Sequence, residues 1–208
     1  MEIQNWKKTI VSFFTFILSA CSQNSEPSQI PNQETEQTDQ PEQTAQPEQP
    51  KEEPKEPQPV QLSSAKTIIA DKIKNRNINL EIALKNINGV TINPGETFSF
   101  NATLGERTEK KGYRKAIAFD QNGKKVKMLG GGICQVSTTL YQAAVAGRLE
   151  INERHSHSRE VPYSDSDADA TVAFGGFDLK FTNNKDKPIK ISASKDNNYV
   201  YVKLMTIT

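Results

Sequence analysis

The chain has 208 residues and a formal net charge of only +1, but charge and composition divide it into three unlike segments. Residues 1–20 have a net charge of +1, residues 22–60 carry nine acidic and two basic side chains with eight of the eleven prolines, and residues 61–208 have a net charge of +7. The middle segment has too few apolar side chains to offset the entropy of ordering it, so the chain cannot fold as one globule of 208 residues. Two cysteines are too few for a disulfide-stabilised scaffold.

The first segment has the layout of a secretory signal. Lys7 and Lys8 precede a short apolar stretch that ends Leu18-Ser19-Ala20-Cys21, and basic, apolar and small residues follow one another in this order in signal peptides. The last four residues resemble the bacterial lipobox, in which the cysteine receives diacylglycerol. The pattern predicts a lipoprotein signal peptide over residues 1–20 and a protein held by lipidated Cys21 on the outer side of the bacterial cell membrane. No run reaches the roughly 18 apolar residues of a spanning helix.

Residues 21–61 are expected to form a disordered tether. Proline and repelling acidic side chains favour an extended chain without a core. Residues 62–208 remain as one domain, long enough to bury a core of its own.

The first half of this domain is predicted to mix helices and short strands. Apolar spacing over residues 64–85 predicts one or two amphipathic helices, interrupted near residues 75–77 and ended by Gly89. Short strands are expected over residues 90–92 and 97–100, on either side of a turn at Asn93-Pro94-Gly95. Residues 115–119 and 125–129 flank Asn122-Gly123 and predict a hairpin.

The second half opens with three glycines and a helix. Residues 134–146 have helical spacing after Gly130-Gly131-Gly132, with Gly147 as the residue that ends the helix. Strands are expected after that, over residues 151–157, 170–174, 178–181, 189–193 and 199–205, the last two paired. Two or three helices packed on a mostly antiparallel sheet define an α+β domain.

Cys134 is the first candidate for chemistry, since it opens the predicted helix. The helix dipole and free amides there lower a thiol pKa and also bind an oxyanion. The three glycines, Gly130 to Gly132, permit close approach of a ligand. Additional contacts to a ligand are expected from the Gln135 amide and from the Ser137 and Thr138 hydroxyls. The alternative is a buried, inert cysteine.

The two histidines lie together in Arg154-His155-Ser156-His157. On a strand, His155 and His157 share one face, where either can serve Cys134 as general base. Asp169 can orient the base, and Arg154 is a candidate binding residue. No cofactor is required by this scheme, although Cys134 and both histidines could instead hold zinc.

Two other interpretations of this region are open. Asp165, Asp167 and Asp169 alternate as in a Ca²⁺ loop, but the glycine and terminal glutamate of that loop are missing. In the other interpretation, the histidine segment is a charged strand exposed to solvent.

Several blocks in fixed order resemble the VanW family. The most specific is Gly130-Gly131-Gly132-Ile133-Cys134-Gln135. One departure is Ser164–Ala168, where members of the family usually have a proline-proline-glycine turn. The other matching blocks are residues 93–101, 112–113, 136–141, 153–158, 169–172 and 178–184.

The resemblance implies a bacterial cell-envelope protein. The family is named after an accessory product of some glycopeptide-resistance clusters, and members often accompany peptidoglycan-binding modules. Two functions are consistent with this context. The first is a thiol-dependent peptidase or transpeptidase-like enzyme acting on peptidoglycan stem peptides, and the second is a non-catalytic module in which the +7 charge attracts wall polymers. Nucleic acid is not an expected partner, because the basic residues lack interleaved aromatics on a recognisable motif.

Overall fold

The computed structural model describes residues 58–120 and 123–207. The predicted signal peptide, Cys21 and most of the predicted tether lie outside these ranges. Within the described residues no helix is both long and apolar enough to cross a membrane.

A four-stranded antiparallel sheet forms the centre of the domain. Its strands are β1 (Val60–Ile68), β2 (Thr91–Ile92), β8 (Ile189–Lys195) and β9 (Tyr199–Thr206), in the order β1-β9-β8-β2. Apolar and polar residues alternate along β9, so that Val200, Val202 and Leu204 are buried on the inner face while Lys203 is exposed on the outer one. The hairpin of β8 and β9 confirms the predicted pairing.

Two helices cover the inner face of this sheet. Helix α1 (Lys74–Ile87) packs on β8, and helix α3 (Cys134–Ala146) packs on β1 and β9. The α1 side chains that face the core recur at helical spacing: Arg76, Asn79, Leu80, Ala83, Leu84 and Ile87.

Smaller elements complete the domain. A three-stranded antiparallel sheet contains β3 (Thr97–Ser99), β7 (Lys180–Thr182) and β6 (Glu150–Glu153), in the order β3-β7-β6. Helix α2 (Phe100–Leu104) follows β3, and Ser99 caps it by accepting a hydrogen bond from the backbone N–H of Ala102. The hairpin of β4 (Lys115–Phe119) and β5 (Lys125–Leu129) has the predicted bounds. Three helices against antiparallel sheets confirm the α+β class.

The prediction of helix from residue 64 onward was wrong, because residues 64–68 belong to β1. Inward-facing Ser63 and Thr67 hydrogen-bond to α3, at 2.7 Å to the Ala143 carbonyl and 2.7 Å to the Thr139 hydroxyl. A strand with polar residues on its buried face lacks the apolar alternation by which strands are recognised. The helix therefore begins only at Lys74.

Two strand predictions near the histidines were also wrong. Strand β6 ends at Glu153 rather than continuing to His157, and no strand forms over residues 170–174. These segments are joined by a single backbone bond from Thr171 N–H to the His155 carbonyl and by side-chain bonds, which do not make a ladder. Strand alternation therefore does not determine which histidine faces the site.

Candidate active site

Helix α3 positions Cys134 at its first turn, one residue after the triple-glycine loop, Gly130–Gly132. A Cβ atom on Gly131 would lie 2.4 Å from the Ala116 carbonyl oxygen, so only glycine fits between the loop and β4. Gly132 has a φ of +100°, a conformation that L side chains rarely adopt. The glycines thus fix where the helix begins.

Cys134 is a free cysteine that is partly exposed as a residue. Its Sγ lies 3.6 Å from the Thr171 hydroxyl and 3.6 Å from the Val172 carbonyl oxygen. No carbonyl of residues 58–120 or 123–207 accepts the backbone N–H of Cys134, as is usual for the first turn of a helix. That N–H is a donor available to an oxyanion beside the thiol.

His157 and Asp169 form the polar partner of this thiol. Asp169 is 2% exposed and His157 is 8% exposed. The Nδ1 of His157 contacts Asp169 Oδ2, and the same oxygen accepts the His157 backbone N–H at 2.8 Å. With Nδ1 engaged, Nε2 is the nitrogen left for Cys134 and for Tyr163, whose hydroxyl lies 3.4 Å away. The carboxylate therefore fixes both the ring and its tautomer.

Cys134 and His157 favour each other's charged form. Burial alone raises the pKa of the Cys134 thiol, but the hydrogen bond and charge of His157, together with the Val172 and Thr171 hydrogen bonds, outweigh burial, and the pKa lies below its ordinary value. Burial alone lowers the pKa of His157, but Cys134 and then Asp169 outweigh it, so that this pKa is raised. A thiolate beside an imidazolium is the activated form of a cysteine nucleophile.

Arg154 holds the carboxylate in place rather than facing open space. Its Nε donates to the Asp169 backbone carbonyl at 2.6 Å and its Nη2 to Asp169 Oδ1 at 2.8 Å. The guanidinium also lies over the Tyr141 ring, 5.3 Å from the centroid. Both oxygens of Asp169 are thus occupied, one by Arg154 and one by His157.

His155 is engaged elsewhere. Its Nε2 lies 3.1 Å from Glu153 Oε1, and its ring stacks on Phe177 with centroids 4.3 Å apart. Lys180 first, and His155 after it, hold the pKa of Glu153 down to about 2. The structure therefore brings His157, and not His155, together with Cys134 and Asp169.

The predicted binding side chains of α3 are buried and already bonded to protein atoms. Gln135 contacts Arg76 at 2.6 Å and the Ile68 carbonyl at 2.8 Å, and its backbone N–H donates to the Gly132 carbonyl. The Ser137 hydroxyl donates to the Ala170 carbonyl at 2.6 Å, and the Thr138 hydroxyl accepts the Ala170 N–H at 3.0 Å. Ser137 and Thr138 thus position the segment that contains Asp169, whereas Gln135 binds Arg76 and β1.

Within the ranges that the structure describes, no three His, Cys, Asp or Glu side chains are arranged to hold a metal ion. Cys134, His155 and His157 accordingly do not form a three-ligand set, and neither do the aspartates of residues 165–169.

Three residues near the site were missed by the sequence reasoning. Tyr163 packs beside His157, and burial followed by the charge of Cys134 raises the pKa of its hydroxyl well above the usual value. Arg76 and Arg107 are each 8% exposed and pack against Gly132 and Gly130. For Arg76 a signal existed, because an arginine four residues before Leu80 stands on the apolar stripe of α1.

The chain resembles known proteins over this same region. The family described as VanW like protein matches residues 75–205. The uncharacterized protein YoaR of Bacillus subtilis (strain 168) is 42% identical over 135 residues, which are 65% of this chain and 44% of that protein. The vancomycin B-type resistance protein VanW of Enterococcus faecalis (strain ATCC 700802 / V583) is 36% identical over 129 residues, 60% of this chain and 46% of that protein.

The chain thus spans less than half the length of these relatives. No solved structure matches it. The family match covers more than half of the chain and contains Cys134, His157 and Asp169. The chain therefore belongs to the VanW family.

Proposed function

We propose that this VanW-family protein is a cell-envelope lipoprotein with a thiol-dependent enzyme domain that transfers or hydrolyses acyl groups of peptidoglycan stem peptides. The observation that supports it best is the Cys134–His157–Asp169 arrangement. Nucleophile, base and orienting carboxylate come from three separate segments and meet in one place.

The residues present supply each step of such a reaction. The Cys134 thiolate attacks the acyl carbonyl carbon, and a C–S bond forms as the C–N bond breaks. Protonated His157 gives its proton to the leaving amine, and the Cys134 backbone N–H donates to the developing oxyanion. Water or an acceptor amine then attacks the thioester, transfers a proton to His157 and releases the thiolate.

The proposed compartment rests on residues 1–21. A lipid on Cys21 and an extended tether would place the domain outside the membrane within reach of the wall. The name of the Enterococcus faecalis relative, a vancomycin resistance protein, is consistent with an envelope role. Globomycin treatment, which blocks processing at a lipidated cysteine, is expected to leave the leader attached.

A second candidate, a non-catalytic module that binds wall polymers, is favoured by one specific surface. The outer face of the four-stranded sheet carries Lys66, Lys190 and Lys203 with Tyr199 and Tyr201. The Lys66 Nζ lies 4.9 Å from the Tyr199 ring centroid. Cations and aromatic rings side by side suit an anionic wall polymer.

Incubation of the full chain with purified stem peptides, followed by mass spectrometry, separates the two candidates. Enzyme action predicts loss of turnover in Cys134→Ser and a fall of about 10²–10⁴-fold in kcat/KM in His157→Gln. His155→Gln, the matched control, should keep the wild-type rate because this ring faces Glu153 and Phe177.

The opposite outcome is equally specific. Full turnover by Cys134→Ser would refute the thiol mechanism. Absence of turnover in the wild type, together with salt-sensitive sedimentation with walls that is lost when Lys66, Lys190 and Lys203 become glutamine, would identify the binding module instead.

A further inference from the structure

Two buried arginines flank the triple-glycine loop that precedes Cys134. A Cβ atom on Gly132 would lie 2.6 Å from Arg76 Cγ, and one on Gly130 would lie 2.9 Å from Arg107 Cγ. Both side chains therefore pack directly on the loop. Charged side chains are rarely buried to this degree without a partner.

Each guanidinium has one buried nitrogen without a hydrogen-bond acceptor among the described residues: Nη1 of Arg76 and Nε of Arg107. Other nitrogens of the two groups are held by hydrogen bonds: Arg76 Nη2 donates to Gln135 at 2.6 Å, and Arg107 donates to the Gly105 carbonyl and to Asn101, each at 2.7 Å. An unsatisfied buried donor costs about 1–3 kcal/mol, and more when it is charged. Both nitrogens are covered by protein atoms, so an acceptor from outside the chain would remove that penalty after a local shift of this cover.

The acidic groups nearby leave both charges incompletely balanced. Asp71 Oδ2 lies 3.6 Å from Arg76 Nε, and that carboxylate is 42% exposed. No carboxylate of the described residues forms an ion pair with Arg107. Asp178 influences it from a distance, but its oxygens accept from Ser99, Asn101 and Leu179. The two arginines that pack on the loop therefore carry more positive charge than the nearby carboxylates balance.

The two arginines are electrostatically linked to the candidate active site. The charge of Arg76 acts on Tyr163, whose hydroxyl lies beside His157 Nε2. The charge of Cys134 acts on Arg107. A third buried atom without a partner in the described ranges, the Tyr113 hydroxyl oxygen, belongs to a side chain that interacts with Arg107. The unpaired donors thus belong to side chains that pack on the loop leading into α3 or interact with those side chains.

We propose that Arg76 and Arg107 form a carboxylate-binding subsite beside Cys134. This inference rests on the proposed function and narrows its substrates to acyl compounds with a free carboxylate close to the bond attacked, such as the end of a peptide. Guanidinium groups suit this role because their planar N–H donors match the geometry of a carboxylate.

Paired alkylating reagents test the subsite without any need for turnover. The full chain carrying Cys21→Ser has Cys134 as its only thiol. Iodoacetamide is neutral and reports the thiolate, whereas iodoacetate also carries a carboxylate. Arg76→Gln and Arg107→Gln are each expected to lower the ratio of iodoacetate to iodoacetamide rates about tenfold, as loss of a charged hydrogen bond predicts. A fall in both variants supports the two-arginine subsite, and a fall in only one would overturn the role of the other arginine.

The matched control is Arg148→Gln. Arg148 is exposed and follows the opposite end of α3, about 20 Å from Cys134 at 1.5 Å per residue. Arg76→Lys and Arg107→Lys keep the charge but lose the guanidinium geometry, and they should lose most of the preference. Two results would overturn the subsite. One is a ratio of iodoacetate to iodoacetamide rates in both glutamine variants that equals the ratio in Arg148→Gln, and the other is an undiminished ratio in the lysine variants.

A measurement on the unsubstituted arginines covers the case in which the variants fail to fold. Acetate should slow iodoacetamide alkylation of Cys134 saturably, whereas acetamide should not. Equal effects of acetate and acetamide would overturn the proposal. If Cys134 reacts rapidly with iodoacetamide but acetate does not slow the reaction, only the subsite is rejected and the Cys134–His157 pair stands. Failure of the subsite and failure of the proposed function are therefore distinguishable.

Discussion

Gly131→Ala is expected to destabilise the domain by about 3 kcal/mol or more. The new Cβ would lie 2.4 Å from the Ala116 carbonyl oxygen and 2.6 Å from the carbonyl carbon. Backbone atoms of β4 cannot rotate away as the end of a side chain can, so the loop or the strand must shift. Overpacking of this kind usually costs about 1–3 kcal/mol and occasionally more. Urea unfolding followed by circular dichroism measures the loss.

Gly176→Ala makes the same chemical change where there is room. The nearest atoms to its Cβ would be at 3.8 and 3.9 Å, which is ordinary van der Waals contact. The free energy of unfolding of this variant should lie within about 0.5 kcal/mol of that of the wild type. Equal stability of the two variants would show that the loop is not pressed against β4 as described.

Asp169→Asn is expected to cost about 3–5 kcal/mol and to slow the reaction of Cys134. The carboxylate is buried and accepts from Arg154 and from two nitrogens of His157. An amide presents an NH₂ group to one of these donors and leaves the Arg154 charge unpaired, which is strongly destabilising in a buried site. His157 also loses one of the groups that raise its pKa. Denaturant midpoints and Cys134 alkylation rates at neutral pH measure both effects.

Asp167→Asn provides the matched control, since the same change occurs two residues away on an exposed side chain. It should alter stability by no more than about 0.5 kcal/mol. Wild-type stability and reactivity in Asp169→Asn would contradict the role assigned to this carboxylate.

Much of the fold could be predicted where local patterns agree with the tertiary structure. Helix α3, the β4–β5 hairpin and the β8–β9 hairpin have strong local signals: helical spacing after glycines, an Asn-Gly turn and strict alternation. Strand β1 could not be found in this way, because Ser63 and Thr67 face inward and bond to α3. Its assignment depends on a partner distant in sequence.

The candidate site could be predicted from the sequence only in part. The sequence singles out Cys134, both histidines and Asp169, but strand alternation treats His155 and His157 alike. The two histidines differ in position because β6 ends at Glu153 and the following segment bonds to Asp169 through His157. Tyr163 and Arg107 come from loops, where no periodicity indicates which side chains face inward.

The pH dependence of Cys134 alkylation by iodoacetamide, in the full chain carrying Cys21→Ser, tests the central claim most directly. Because His157 lowers the thiol pKa, the wild type should react at a lower pH than an ordinary cysteine. In His157→Gln burial, which raises a thiol pKa, would be opposed only by the Val172 and Thr171 hydrogen bonds, so the profile should move to higher pH. His155→Gln should leave it in place. Superimposable profiles for wild type and His157→Gln, or a thiol that reacts only on unfolding, would contradict the Cys134–His157 pair.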